Sequence, residues 1–277
     1  MEIKNLNPRL YQEKIYNTAS KKNTLVVIPT GLGKTMIALM VAVHRLNKKP
    51  NSKILFLAPT KPLCVQHMKT FEKHLDINSD LMCLLTGEIT PKKRRNLWET
   101  SLFVFATPQT ITNDLISGKL ELEDFSLLVV DEAHRATGDY DYVFLAKQYQ
   151  ELSTNPLILA LTASPGSSKE KISEICNNLR IDEIESRSET SPDVKDYIQQ
   201  KNIERVFVEL PEEFKKIKNL LERSLSLKLK HLKENKIIRS SDLNKIRKGF
   251  LIRLQGGLAK QAAGNWFVMK NISVVAS

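Results

Sequence analysis

Between residues 24 and 162 the chain repeatedly alternates short, nearly all-apolar runs with longer segments in which apolar residues recur every three or four positions. The apolar runs are Thr24 to Ile28, Lys53 to Ala58, Leu81 to Leu85, Leu102 to Ala106, Leu127 to Val130 and Leu157 to Leu161. A strand without polar alternation is buried on both faces. The segments between them read as helices: Gly33 to about Leu46, Leu63 to Leu75, Pro108 to Ile116, Tyr142 to Leu152 and Lys169 to Leu179. This alternation predicts an α/β fold in which helices cover both faces of a central, mainly parallel sheet.

After Arg180 the pattern changes. Ile181 to Pro192 is polar and ends in a helix breaker, which reads as the exit from the first domain, and a last extended run, Glu204 to Leu210, follows. From Pro211 the period is helical. Phe214, Ile217, Leu221, Leu225, Leu229 and Leu232 form one apolar stripe, with Pro211, Glu212 and Glu213 as a favourable first turn. Leu243, Ile246, Phe250, Leu254 and Leu258 form a second, with Ser240, Ser241 and Asp242 as N-cap candidates. The expected division is an α/β domain over residues 1–200 and the beginning of a helical module over 201–277.

Charge sharpens this division. The formal net charge of the 277 residues is +11, yet residues 1–210 hold 27 basic against 26 acidic side chains and residues 211–277 hold 15 against 5. A basic module beside a near-neutral one fits a polyanion partner, because Lys and Arg on phosphates release condensed counterions. The alternative is a solvated Lys-rich helix face. No run reaches the roughly 18 apolar residues of a membrane span, and the start of the chain has no leader pattern, so an intracellular, cytoplasmic or nucleoid protein is expected. Cys64, Cys83 and Cys176 are too few and too scattered for a disulfide framework or a zinc site and read as reduced, mostly buried thiols.

The strongest chemical signal is Pro29-Thr30-Gly31-Leu32-Gly33-Lys34-Thr35, placed after a strand and opening a helix. Such a loop curls backbone N–H groups of Thr30, Gly31 and Gly33 around phosphates at a helix N-terminus. Lys34 reaches the terminal phosphates and the Thr35 hydroxyl can bind Mg²⁺. The general motif has a glycine where Ile28 stands, so this is a shortened form. Asp131-Glu132-Ala133-His134 follows Leu127 to Val130, which puts two carboxylates at the carboxyl end of a buried strand, where open α/β sheets bind ligands. Asp131 is expected to hold Mg²⁺ with Thr35, and Glu132 to orient and deprotonate the attacking water. His134 completes the catalytic set with Lys34.

Together these motifs resemble those of the superfamily 2 DEAH-box helicases. Asn7 to Gln12 is similar to that family's adenine-reading motif, in which Gln12 would hydrogen-bond the base. Ala58-Pro59-Thr60-Lys61-Pro62-Leu63, Thr86-Gly87 and Ala106-Thr107-Pro108-Gln109-Thr110 resemble its strand-tracking motifs, and Leu161-Thr162-Ala163-Ser164 resembles the one that couples hydrolysis to domain movement. Thr86, Gly87, Thr107, Pro108, Gln109, Pro59, Thr60 and Lys61 would then contact nucleic acid, and Thr162 and Ser164 would couple. Leu161 to Gly166 and Arg187 to Asp193 extend the likeness to the archaeal Hef and Fanconi anaemia M-type branch-point translocases.

That resemblance implies a RecA-like P-loop NTPase domain using ATP and Mg²⁺, with a partial, thumb-like helical insertion after it. It implies sequence-independent binding of branched or forked DNA in DNA repair. It also implies a second motor domain that supplies arginine fingers; no Gln-x-x-Gly-Arg-x-x-Arg-type run occurs in these residues, so this chain alone is expected to hydrolyse ATP very slowly. The rival readings are an RNA helicase or RNA-sensing ATPase of the same superfamily, a non-catalytic nucleic-acid-binding module, and a small-molecule P-loop kinase. The intact Lys34, Thr35, Asp131 and Glu132 oppose the second rival, and the additional helicase motifs oppose the third.

Overall fold

The computed structural model describes residues 1–4, 6–166, 168–197, 206–242, 246 and 248–261. The chain divides into two compact units, Met1–Gln200 and Lys201–Ser277.

The first unit is built on seven parallel strands: β1 (Thr24–Val27), β2 (Lys53–Leu57), β3 (Met82–Leu85), β4 (Phe103–Ala106), β5 (Phe125–Val130), β6 (Ile158–Thr162) and β7 (Glu183–Ser186). Their spatial order is β3-β4-β2-β5-β6-β1-β7. Six of them coincide, to within one or two residues, with the apolar runs of the sequence. The helices are α1 (Leu10–Ala19), α2 (Lys34–Lys48), α3 (Lys61–His74), α4 (Pro91–Thr100), α5 (Pro108–Ile116), α6 (Asp141–Leu152) and α7 (Lys169–Asn178). Two buried apolar clusters form one layer on each face: Phe56, Phe71, Phe103 and Phe105 belong to one, Trp98, Phe125, Tyr142 and Tyr149 to the other.

Strand β7 lies where the sequence reads as a polar exit. It pairs with β1 at an edge of the sheet and its side chains are mostly exposed, so it needs no apolar run. Its carboxylates are instead tied down sideways, Glu183 by Lys22 at 2.6 Å and Glu185 by the Thr18 hydroxyl at 2.6 Å. Helices α1 and α4 also add to the elements that the apolar pattern predicts. Tyr11, Ile15 and Ala19 of α1 are all buried, whereas α4 buries only Arg94 and Trp98 among five charged positions.

In the second unit α8 (Glu212–Glu234) follows Pro211 as the stripe predicts. Only Leu229 and Leu232 of that stripe are buried, with Ile238; Phe214, Ile217, Leu221 and Leu225 are exposed. The extended run does not become a strand: 206–210 is unpaired, and Glu204 lies outside the described residues. Helix α9 (Lys248–Gln261) begins later than Ser240, Ser241 and Asp242 would set it, so none of these caps it; Leu243 and Lys245 lie outside the described residues.

Cys64 and Cys83 are buried, and loss of solvent pushes each thiol up to about 11. Cys176 is half-buried, with a smaller upward shift from the same cause. The thiolate is the reactive form. Iodoacetamide at pH 8 is therefore expected to modify Cys176 first and to reach Cys64 and Cys83 only on unfolding, which peptide mass spectrometry reads directly.

Candidate nucleotide and strand sites

The carboxyl edge of the sheet carries the loop motifs that follow β1 to β6, and strand order sorts them. The loops expected to bind nucleotide follow β1, β5 and β6, which are consecutive in the order β5-β6-β1; the loops expected to track a strand follow β2, β3 and β4, consecutive as β3-β4-β2. Two adjoining sites are thus produced by topology.

On the first side, the loop after β1 ends in Gly33, which caps α2 in the left-handed region at φ 77°, with Gly31 at φ 87°. Both are conformations that glycine adopts without strain. A Cβ on Gly33 would also stand 2.5 Å from Gln12 Nε2. Gln12 is held there on both ends: its Oε1 accepts the Arg9 N–H at 3.0 Å and its Nε2 donates to the Leu32 carbonyl at 3.3 Å. Tyr11 donates to the same carbonyl at 2.8 Å, so the proposed base-reading residue is fastened to the phosphate loop itself. Thr30 and Gly31 are exposed on that loop.

The Lys34 ammonium donates to the Ile28 carbonyl at 3.0 Å and to the Pro29 carbonyl at 3.4 Å. Burial lowers its pKa, and the charges of Asp131 and Glu132 oppose that shift. The cation is stored against its own loop, within the field of the Asp131 and Glu132 charges.

Asp131 is buried and its carbonyl accepts from the Tyr142 hydroxyl at 2.8 Å. Glu132 turns sharply with φ 52°, a left-handed conformation that costs a non-glycine residue on the order of 1–3 kcal/mol and that gathers at functional sites. The turn aims its carboxylate at His134, 3.2 Å from Nδ1. The same ring nitrogen lies 3.2 Å from the Thr162 hydroxyl, which is bonded in turn to the Ser164 N–H and carbonyl, each at 3.2 Å. The carboxyl ends of β5 and β6 are therefore joined through Glu132, His134, Thr162 and Ser164.

On the second side Gly87, Thr107 and Gln109 line a cavity of about 550 Å³ with Glu88, Arg94 and Asn113. Thr107 bonds the Thr110 hydroxyl at 2.9 Å, and Lys61 pairs with Glu88. Thr86 and Pro108 are buried behind this surface; Pro59 and Thr60 lie on the neighbouring loop after β2, outside the cavity lining. Buried Arg94 donates from Nε to Asp114 Oδ2 at 2.5 Å, from its second nitrogen to Oδ1 and from its third to the Ile89 carbonyl, and so ties the loop after β3 to α5.

Motif reasoning misses His67. It is buried on α3 between Cys64 and Phe71, spaced 3 and 4, which is the signature of a core stripe. The usable signal is that a buried imidazole must find polar partners. Its partners are Asp131 and Thr35.

The DEAD/DEAH box helicase family matches residues 9–172. The chain belongs to the DEAD/DEAH box helicases. Such membership implies the use of ATP. A Methanocaldococcus jannaschii protein named as an ATP-dependent RNA helicase is 45% identical over 237 residues, 86% of this chain and 30% of that protein. The Fanconi anemia group M protein homolog of Mus musculus is 35% identical over 257 residues, 93% of this chain and 13% of its own length. The Hef helicase domain of Pyrococcus furiosus superposes with TM-score 0.72 at 44% identity, over 100% of this chain and 59% of that one. The resemblance to Hef and the Fanconi M-type proteins is thus borne out, as is the RecA-like α/β fold. This chain spans less than a third of the curated relatives it matches. No helix among the described residues is long and apolar enough to cross a membrane.

Proposed function

We propose that residues 1–200 are the ATP-binding first half of a motor that moves on branched DNA during repair, and that the second unit begins its basic helical insertion. The observation that carries the reading is the partition of the sheet edge into two adjoining sites. In the first, Gln12 reads adenine, Thr30, Gly31, Gly33 and Lys34 hold the phosphates, Glu132 positions and deprotonates water, and His134 with Thr162 and Ser164 relays the state of the site to β6. In the second, Pro59, Thr60, Lys61, Thr86, Gly87, Thr107, Pro108 and Gln109 follow the sugar-phosphate chain, which positions a strand without reading its sequence.

Thr35 and Asp131 suit Mg²⁺. They offer a hydroxyl and a carboxylate oxygen, both fastened to one imidazole at 3.2 and 2.9 Å, and hard oxygen donors are what that ion takes. Among the described residues no cluster of three His, Cys, Asp or Glu could hold a metal by itself. This agrees with an ion held by few protein ligands and by substrate phosphates. When bound, Mg²⁺ would neutralise charge developing on the phosphates.

DNA is favoured over RNA by relatives named as ATP-dependent DNA helicases, the Fancm protein of Drosophila melanogaster among them, while the Methanocaldococcus name points to RNA. Fork DNA, linear duplex and duplex RNA should be titrated in parallel over a range of salt, with fork DNA expected to bind tightest. Lys216, Lys230, Lys233 and Arg253 are exposed on α8 and α9. Replacing all four with glutamine is expected to reduce the slope of log affinity against log salt by about 0.9 for each phosphate that is no longer neutralised. An unchanged slope and equal affinity for all three nucleic acids would remove the branched-DNA reading.

A further inference from the structure

The two halves of the sheet edge meet at the β2·β5 boundary, and α3, the helix that follows β2, reaches across it with one side chain. His67 is 6% exposed. Its ring lies against Phe56, with centroids 4.5 Å apart and planes tilted by 32°. Nε2 is 2.9 Å from Asp131 Oδ2, and Nδ1 is 3.2 Å from Thr35 Oγ1. An ionised carboxylate only accepts, so Nε2 carries the proton and donates it to Asp131. Nδ1, on the other side of the ring, has the Thr35 hydroxyl as its hydrogen-bond partner. The ring thus holds the Thr35 hydroxyl from one side, while Asp131 keeps its second oxygen uncommitted to the ring.

We infer that His67 is a positioning residue for Mg²⁺. It does not hold the ion; it fixes the side-chain positions of both ligands before the ion arrives. The inference rests on the nucleotide reading given above and adds to it the residue that sets the site's affinity for the metal. Groups hydrogen-bonded behind metal ligands typically account for about 10–100-fold in metal affinity.

The test is the Mg²⁺ dependence of binding of a fluorescent ADP analogue to the whole chain, with His67→Leu and His67→Gln beside the parent. Leucine fills the space on Phe56 but bonds neither ligand; glutamine can donate to Asp131 through its N–H and accept from Thr35 through its carbonyl. His67→Leu is expected to raise the Mg²⁺ midpoint by about 10–100-fold and to leave ADP binding in EDTA as it is in the parent. His67→Gln is expected to bring the midpoint back toward the parent value. A purely structural role would weaken binding equally with and without the ion. A His67→Leu midpoint equal to the parent's, or glutamine as damaging as leucine, overturns the inference.

A second readout needs no variant. Nitrogen NMR of the parent should show the His67 ring signals move when Mg²⁺ is added to the ADP-bound chain; ring signals that ignore the ion would overturn the inference even if the leucine variant failed to fold. A parent that binds no nucleotide at any Mg²⁺ concentration would instead overturn the nucleotide reading, and the role of His67 with it.

Discussion

Replacing Asp114 with alanine is expected to destabilise the protein by about 3–5 kcal/mol, because it leaves the Arg94 guanidinium buried without its counter-charge. Arg94 and Asp114 are both almost wholly buried, and the guanidinium spends two of its nitrogens on the carboxylate and the third on the Ile89 carbonyl. For a unit of this size each kcal/mol corresponds to about 2–4 °C in Tm, so thermal unfolding of Asp114→Ala should begin about 6–20 °C lower. The pair differs from the surface ion pairs of this protein, such as Lys22 with Glu183, whose members are half-exposed and screened by water. Removing both charges at once, as in Arg94→Met with Asp114→Leu, should recover most of the lost stability, since no unpaired ion remains. A double variant as unstable as Asp114→Ala would show that the bond to Ile89, rather than charge pairing, holds α4 in place.

This pair also marks where the pattern of the sequence stops being informative. Six of the seven strands are legible because a parallel strand covered on both faces is nearly all apolar, as Leu127 to Val130 and Leu157 to Leu161 are. Strand β7 and helix α4 are not legible, because each is secured by partners distant in sequence: Glu183 and Glu185 by Lys22 and Thr18, Arg94 by an aspartate 20 residues later. Helix α1 is readable in retrospect from Tyr11, Ile15 and Ala19, whose spacing of four is a buried stripe.

The phosphate loop and the Asp131-Glu132-Ala133-His134 tetrad are legible as motifs, since their chemistry depends on adjacent residues. The bond from His134 to Thr162 and the double bond of His67 to Thr35 and Asp131 depend on which strands lie side by side, and strand order is not a property of any local window. The amphipathic stripe of α8 reads as a buried face, but the pattern alone does not say whether anything covers it, and Phe214, Ile217, Leu221 and Leu225 are exposed.

The second large effect concerns Lys34, whose ammonium rests on the Ile28 and Pro29 carbonyls beside Asp131 and Glu132. Removing a hydrogen-bonded charge from a desolvated contact costs about 2–5 kcal/mol. At 1.4 kcal/mol for each factor of ten, Lys34→Ala should weaken ATP binding by roughly 30- to 3,000-fold. The fold should survive, because Lys34 is half-buried at the loop rim and Gly33 still begins α2. Calorimetric titration of ATP with Mg²⁺ into the parent chain and into Lys34→Ala, with circular dichroism to verify that both are folded, tests the central claim most directly. The account predicts one site in the parent and a loss of at least about 30-fold in the variant; equal affinity in the two would contradict it.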